Sequence, residues 1–204
     1  MKLVRLKQRS KEWLDFRRNH VCASDSPIIM GMSNFKTVDQ LLNEKVRGYE
    51  QHQNPYMARG NELEPVALKA FEKETNLIMF PCVGVHDQND WMAASFDGMT
   101  LEEDLIVEIK CPGKKDHTLA LQGKIPEKYI AQLQHQIYVS GLDFSYYYSF
   151  DGEKGIVLEV KRDDEFIEKM LALEIDFWNI LKTEVERINL KKAEHATTDR
   201  KSVV

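Results

Sequence analysis

The stretch DLIVEIKCP, residues 104–112, places two opposite charges inside a run that otherwise predicts a buried β-strand. Side chains alternate between the two faces of a strand, so Val107 and Ile109 would share one face, and Glu108 and Lys110 the other. Such a pair also occurs on half-exposed strands, where it has no function. Here the residues around the pair are apolar, and a proline and a glycine follow directly. The fold must therefore accommodate a carboxylate and an ammonium at the end of a buried strand.

A second carboxylate, Asp97, lies in the segment ASFDG that precedes this strand. Segments 77–86, 91–99 and 104–111, with turn residues between them, predict a three-stranded meander. If the last two strands pair, Asp97 comes level with Glu108. Two neighbouring carboxylates repel each other unless a proton or a cation lies between them. Such oxygen ligands suit Mg²⁺ or Mn²⁺, and a lysine beside the metal can orient water, so the pattern predicts a site for phosphodiester hydrolysis.

Helices are predicted around these strands by capping residues and by apolar residues at helical spacing. Ser10 would cap a helix that runs through about residue 20. Thr37 and Gln40 have capping-box spacing ahead of another helix. Residues 56–74 predict a third helix, in which Pro65 introduces a kink or marks a later start.

The order of the segments predicts a mixed α/β sheet with helices on its faces. Further helices and a hairpin are predicted over residues 24–31, 126–141, 144–161 and 164–188. Residues 51–55 are polar and predict a loop. We expect one domain over residues 1–190, followed by a polar, flexible tail over residues 191–204.

Composition and charge narrow the class of protein. The 204-residue chain has a net charge of −5, which argues against broad, non-specific binding of nucleic acid but leaves room for a local basic channel. No apolar run approaches the roughly 20 residues that span a bilayer, and the N-terminus lacks the apolar core of a secretory signal. The three cysteines are widely spaced and expected to be reduced. These features predict a cytoplasmic protein with no membrane partner.

The motif SFDG…VEIKCP resembles the core of the PD-(D/E)xK nucleases. The chain as a whole is similar to the lambda-exonuclease or YqaJ type of viral recombinase nuclease. Four further segments carry the likeness in the family's order: EWLDFRRNHVCASD, ARGNELEPVALKAFE, YIAQLQHQIYVSG and GIVLEVKRDDEF. One departure is that Ser95-Phe96, without proline, precedes the aspartate. The resemblance implies a restriction-endonuclease-like core of the α/β (α+β) class, with a mixed central sheet flanked by helices.

The resemblance also implies roles for the residues of the motif. Asp97 and Glu108 would bind the metal, with the main-chain carbonyl of Ile109 as a further ligand. Lys110 would activate or position water. Glu64, from the GxxxE helix, would face the site and assist a second metal or the water. The implied cofactor is two Mg²⁺ ions per active site, with Mn²⁺ as the alternative.

Alternatives remain open at three helical positions. Glu64 is also read as an ordinary helix-surface glutamate, since Glu62 lies nearby. Gln132 matches the first glutamine of the family's QxQ helix and would hydrogen-bond at the active centre, with Gln134 as the competing choice. Tyr129 either lines the cleft or packs.

Arg17 matches the family arginine that is expected to grip the 5′-terminal phosphate, which a planar guanidinium can bind in a bidentate manner. Ser24 would add a hydroxyl donor to the same phosphate. The alternative is that Arg17 is a surface cation paired with Asp15 or Glu12. A basic stretch after the catalytic strand either contacts the DNA backbone or forms a solvated loop: Lys114, Lys115, Lys124 and Lys128.

By this resemblance the protein would be a Mg²⁺-dependent 5′-to-3′ exonuclease that digests linear double-stranded DNA to 5′-mononucleotides and a 3′ single-stranded tail. It would form a homotrimeric ring and work with a single-strand annealing protein in phage-type recombination, inside a bacterial host cell. One alternative is a different PD-(D/E)xK nuclease, either an endonuclease or a single-strand-specific enzyme. The other is a non-catalytic DNA-end-binding module.

Overall fold

The computed structural model describes residues 1–48 and 55–201, in which seven strands form one sheet. The strands are β1 (Lys2–Val4), β2 (Val21–Cys22), β3 (Phe80–Val85), β4 (Met92–Met99), β5 (Ile106–Lys110), β6 (Phe144–Phe150) and β7 (Gly155–Lys161). Their order across the sheet is β1-β3-β4-β5-β6-β7, and β2 pairs with β4. The pairs β2–β4 and β5–β6 are parallel and the others antiparallel. The predicted meander and mixed sheet are confirmed.

The helices are α1 (Lys11–Arg18), α2 (Ser26–Ile29), α3 (Val38–Arg47), α4 (Pro55–Thr75), α5 (Lys114–Leu121), α6 (Glu127–Ser140) and α7 (Asp164–Lys201). Helices α1 and α3 begin at the capping residues predicted from the sequence. Ser10 Oγ accepts the backbone N–H of Trp13 at 3.2 Å. Thr37 and Gln40 form the reciprocal box before α3. Within the described residues, no helix contains a stretch long and apolar enough to cross a bilayer.

Helices cover both faces of the sheet. On one face Phe71 of α4 joins Val107 and Ile109 of β5 in a buried cluster, which uses the apolar side of the predicted strand. On the other face Val139 of α6 clusters with Ile106. The charged side of β5 therefore faces α6. Helices α5 and α6 form the crossover that a parallel pair such as β5–β6 requires.

Several elements differ from the sequence-based expectations. β1 and β2 were not predicted, because strands of three and two residues are too short to show alternation. The basic stretch after β5 is only partly a loop: Lys114 and Lys115 begin α5, Lys124 lies in the connection to α6, and Lys128 lies in α6. Pro65 does not mark a later start of α4, which begins at Pro55 and runs through it; the kink stays a prediction. The loop predicted over residues 51–55 lies outside the described residues, except that Pro55 begins α4.

The C-terminal boundary also differs in part. The boundary predicted after residue 190 falls inside α7, whose backbone continues to Lys201. The flexibility predicted for residues 191–204 stays a prediction, as does the extent of the single domain.

A β-bulge in β4 interrupts the alternation of side chains at Asp97. The register between β3 and β4 shifts between residues 80 and 82 of β3, so that one residue of β3 faces two residues of β4. Phe96 and Met99, on either side of the bulge, both lie in the buried cluster beneath α6. Asp97 and Gly98 occupy the bulge between them. Bulges change the direction of side chains. This one lets the Asp97 carboxylate depart from the regular alternation between the two faces of the strand.

Even the smallest side chain at position 98 should lower the stability of the fold. A Cβ at this position would lie 2.8 Å from Val107 Cγ1 and 2.9 Å from Met79 Cβ, closer than packed atoms approach. We expect Gly98→Ala to lower the free energy of unfolding by about 1–3 kcal/mol, measured by urea denaturation. Gly60→Ala is the control, because none of the described atoms lies within 4 Å of its added Cβ, and alanine favours the helix. Equal midpoints for Gly98→Ala and the wild type would contradict this packing.

Candidate active site

Asp97 and Glu108 come together because β4 and β5 pair as antiparallel neighbours, with Gly98 opposite Val107. Asp97 Oδ2 accepts a hydrogen bond from the backbone N–H of Ile109 at 2.8 Å. Glu108 is only 3% exposed. Burial raises the pKa of Asp97 well above its ordinary value, and the charge of Glu108 raises it further, although the neighbouring lysine opposes this. The pair therefore favours a proton or a cation over two free negative charges.

Three donors converge on the buried Glu108 carboxylate. Lys110 Nζ donates to Oε1. Gln132 Nε2 donates to the same oxygen at 2.5 Å, and Gln136 Nε2 donates to Oε2 at 2.5 Å. Gln136 Nε2 also reaches the carbonyl of Ser95 at 3.2 Å. These bonds satisfy a carboxylate whose burial would otherwise be costly, and they fix α6 over the end of β5.

The structure distinguishes between the two candidate glutamines of α6. Gln134 turns away: its Nε2 donates to the carbonyl of Lys161 at 2.8 Å, and its Oε1 accepts the N–H of Asp163 at 3.0 Å. Gln132 is the one that reaches Glu108. Gln136 was missed from the sequence, although it follows Gln132 by four residues and so lies on the same face of the helix.

Lys110 keeps its charge at neutral pH. Burial alone would lower its pKa, but Glu108 and Asp97 raise it above the ordinary value. The ammonium also lies 5.5 Å from the centre of the Tyr129 ring, a cation–π distance. Tyr129 also stacks on Tyr147, so its ring both packs against the core and borders the site. Lys110 is therefore suited to hold water or a phosphate oxygen.

Glu64, on α4, supplies a third carboxylate to the same region. Burial raises its pKa, Arg9 opposes this and Glu108 adds to it. Glu64 also acts electrostatically on Asp97. Arg9 Nη2 donates to Glu64 Oε2 at 2.6 Å. Glu64 is therefore part of the charged cluster and not an isolated surface glutamate.

The donor atoms fit a hard divalent cation. Among the described residues, no three His, Cys, Asp or Glu side chains lie close enough together to hold a metal by themselves. Mg²⁺ does not need such a cage, since it binds through one or two carboxylates, water and substrate phosphate. Asp97 and Glu108 offer two carboxylates whose mutual repulsion a cation would offset. The carbonyl of Ile109 stays a predicted ligand.

The two residues predicted to bind a 5′ phosphate also lie together. Arg17 Nη2 donates to Ser24 Oγ at 2.7 Å, and the guanidinium lies 4.5 Å from the centre of the Trp13 ring. The indole N–H of Trp13 donates to Ser95 Oγ at 2.9 Å. Ser95 precedes Asp97 by two residues on β4. The predicted phosphate site is thus attached, through one tryptophan, to the strand that carries a predicted metal ligand.

A buried ion pair stabilises the segment that carries Arg17 and Ser24. Lys45 Nζ lies 2.7 Å from Asp25 Oδ2, and both side chains are almost fully buried. Lys45 also donates to the carbonyls of Arg17 and His20, each at 2.8 Å. Asp25 accepts the N–H of Cys22 at 2.8 Å. These bonds join the end of α1 to the start of α2, on either side of the phosphate site.

A basic cleft of about 490 Å³ lies beside the end of β5. Its lining residues include Arg59, Lys114 and His117, together with the carboxylate of Asp151. Lys114 belongs to the basic stretch that the sequence singled out. Lys128 belongs to that stretch too but pairs with Asp116 at 2.5 Å.

Comparisons with known proteins identify the family of the chain. The YqaJ-like viral recombinase domain matches residues 12–143. The chain is 30% identical over 175 residues to YqaJ of Bacillus subtilis (strain 168), which covers 82% of this chain and 55% of that protein. The chain thus spans little more than half the length of this relative. It belongs to the YqaJ-like viral recombinase family.

Solved structures share the fold. An alkaline exonuclease from Laribacter hongkongensis, solved alone and in complex with dAMP, superposes with a TM-score of 0.76 and 27% identity, over 91% of this chain and 99% of that one. A phage-related exonuclease from Haemophilus somnus superposes with a TM-score of 0.57 over 81% of this chain and 96% of that one, at 18% identity. The expected nuclease-type core, with a mixed sheet flanked by helices, is confirmed.

The raised pKa of Asp97 predicts how metal and pH affect stability. A carboxyl whose pKa is higher in the folded state stabilises the fold at low pH, and this contribution is lost as the pH rises from about 4 through the raised value. Asp97→Asn removes the charge and keeps an acceptor for the Ile109 N–H. Without metal, the variant should melt above the wild type at pH 8, with a smaller difference at pH 5.

Thermal melts in EDTA and in Mg²⁺ at both pH values test this. Mg²⁺ should raise the melting temperature of the wild type most at pH 8, and that of Asp97→Asn much less. A difference between the two proteins that did not change with pH would contradict the assignment.

Proposed function

We propose that this chain is a metal-dependent deoxyribonuclease that digests linear double-stranded DNA from a 5′ end, releasing 5′-mononucleotides and leaving a 3′ single-stranded tail. The observation that carries the proposal is the pair of the buried Glu108 and the half-buried Asp97, with the Lys110 ammonium beside it. Membership of the YqaJ-like viral recombinase family and the fold shared with an alkaline exonuclease support it.

Each residue of the cluster would have a separate task in hydrolysis. Asp97 and Glu108, with the carbonyl of Ile109, would hold two Mg²⁺ ions, or Mn²⁺ as the alternative, and Glu64 would serve the second ion or the water. Bound Mg²⁺ would polarise the phosphoryl oxygen and stabilise the leaving 3′ oxygen. Lys110 would activate or position the attacking water, or offset charge on the phosphorus.

Gln132 would keep the Glu108 carboxylate oriented through the bond it donates. This support matters because a ligand that rotates freely would hold the metal less firmly.

Arg17 and Ser24 would bind the 5′-terminal phosphate. Their 2.7 Å contact places a guanidinium and a hydroxyl where both can donate to the same anion. Lys114, with Arg59 and His117 in the basic cleft, would contact the DNA backbone. The enzyme would therefore favour ends that already carry a phosphate.

The biological setting proposed here follows the family. The chain would act in the cytoplasm of a bacterial host, in recombination of a phage or prophage, with a single-strand annealing protein as partner. A homotrimeric ring around the duplex would keep the enzyme on its substrate.

Lys110→Ala should abolish most hydrolysis. We expect a loss of about 10³-fold in the rate of nucleotide release from linear duplex DNA in Mg²⁺, because the attacking water or the charged phosphate loses its cation. Lys169→Ala is the matched control, since Lys169 is an exposed lysine that pairs with Glu165 on α7. Retention of full activity by folded Lys110→Ala would remove the lysine from the mechanism.

Arg17→Ala should reduce the advantage of phosphorylated ends. Charge-assisted hydrogen bonds contribute about 1.5–3 kcal/mol, so the rate ratio between 5′-phosphate and 5′-hydroxyl duplexes should fall by about 10- to 100-fold. Arg18→Ala serves as control, because Arg18 donates to the carbonyls of Lys45 and Val46. An equal loss on both kinds of end would count against the role proposed for Arg17.

Closed circles and single strands separate the alternatives in the same assay. Cutting of closed circular DNA would favour an endonuclease, and preference for single strands would favour the single-strand-specific enzyme. Binding of DNA ends without digestion in Mg²⁺ would favour a non-catalytic end-binding module. The proposed exonuclease leaves closed circles intact.

A further inference from the structure

Arg9 holds a backbone conformation that residues other than glycine rarely adopt. Its φ is +70°. The N–H of Ser10 donates to the carbonyl of Lys7 at 3.1 Å, so Arg9 is the third residue of a β-turn. Glycine is favoured at that position of a turn when φ is positive. Strained backbone at a functional site suggests that the side chain has a function there.

Neighbouring side chains pin this turn beside the predicted metal site. Gln8 Nε2 donates to the carbonyls of Cys82 at 3.1 Å and Phe96 at 2.9 Å, and so bridges β3 and β4. Phe96 directly precedes Asp97. On the other side, Ser10 caps α1. These bonds on both sides of the turn therefore hold Arg9 at the edge of the charged cluster.

The Arg9 guanidinium is bound to one of the carboxylates of that cluster. Nη2 lies 2.6 Å from Glu64 Oε2, with the two side chains 45% and 31% exposed. Glu108 acts electrostatically on the same carboxylate. A guanidinium on this oxygen weakens the binding of a divalent ion to the same carboxylate, because the two cations repel each other and draw on one negative charge.

We propose that Arg9 competes with a divalent cation for Glu64, so that a second metal binds there more weakly while the guanidinium is in place. Arg9 is thus a positioning residue that keeps the affinity for the second ion low in the DNA-free protein. The inference rests on the proposed metal site. In the metal-free protein, the Arg9 guanidinium would already be bound at the cluster formed by Asp97, Glu108 and Glu64.

Calorimetric titration of the DNA-free protein with Mn²⁺ tests the competition. Arg9→Gly removes the charge and suits the positive φ. The weaker binding step should become about fivefold tighter, which corresponds to the roughly 1 kcal/mol that a partly exposed ion pair contributes. Arg9→Lys should stay close to the wild type, because it keeps a cation next to Glu64.

The same substitution made in a Glu64→Gln protein shows whether the effect acts through Glu64. In Glu64→Gln, the change Arg9→Gly should leave Mn²⁺ affinity unaltered, since the contested carboxylate is gone. Thermal melts confirm that the variants are folded, and Arg9→Gly should melt at or above the wild type. Equal Mn²⁺ affinity for the wild type and Arg9→Gly would overturn the proposal, as would a gain that persists in Glu64→Gln. Failure of the wild type and every variant to bind Mn²⁺ would instead contradict the proposed metal site.

Discussion

The burial of Glu108 is the constraint on which the rest of the site depends. A carboxylate that is 3% exposed is costly without partners, and it obtains them from two directions. Lys110 comes from the same strand, whereas Gln132 and Gln136 come from α6. The position of α6 on the sheet is therefore fixed by the same bonds that orient a predicted metal ligand. In this chain the packing of the core and the chemistry of the site share one set of contacts.

The second carboxylate depends on a local defect of the sheet. Asp97 sits in the bulge of β4 and accepts the N–H of Ile109, a donor that a regular ladder would give to a backbone carbonyl. The side chain thus replaces a backbone acceptor at the point where the strands separate. Gly98 makes this possible, because a larger residue would collide with Val107. The bulge and Gly98 together allow Asp97 to lie beside the buried Glu108.

Features that depend on neighbours in the sequence could be predicted, and those that depend on distant partners could not. The faces of β5 follow from alternation, and the caps at Ser10 and Thr37 act within three residues. The bulge requires the register of β3, which no local pattern encodes. The pair of Lys45 and Asp25 joins α3 to the residue that precedes α2, and nothing in its spacing marks it. The positive φ of Arg9 is likewise visible only in the folded backbone.

A buried polar network connects the two halves of the site. Ser26 Oγ donates to Glu174 Oε1 at 2.5 Å, and His135 Nδ1 lies 2.9 Å from the same oxygen. His135 Nε2 donates to the carbonyl of Ala93 on β4 at 3.1 Å. Ser26 lies two residues after Ser24, and His135 lies on α6 between the glutamines that hold Glu108. The segment that carries Ser24, a residue of the predicted phosphate site, and helix α6 over the carboxylates are therefore attached to one internal group, Glu174 of α7. Distances between the proposed end-binding and hydrolytic centres are thus set by the core and not by a flexible surface.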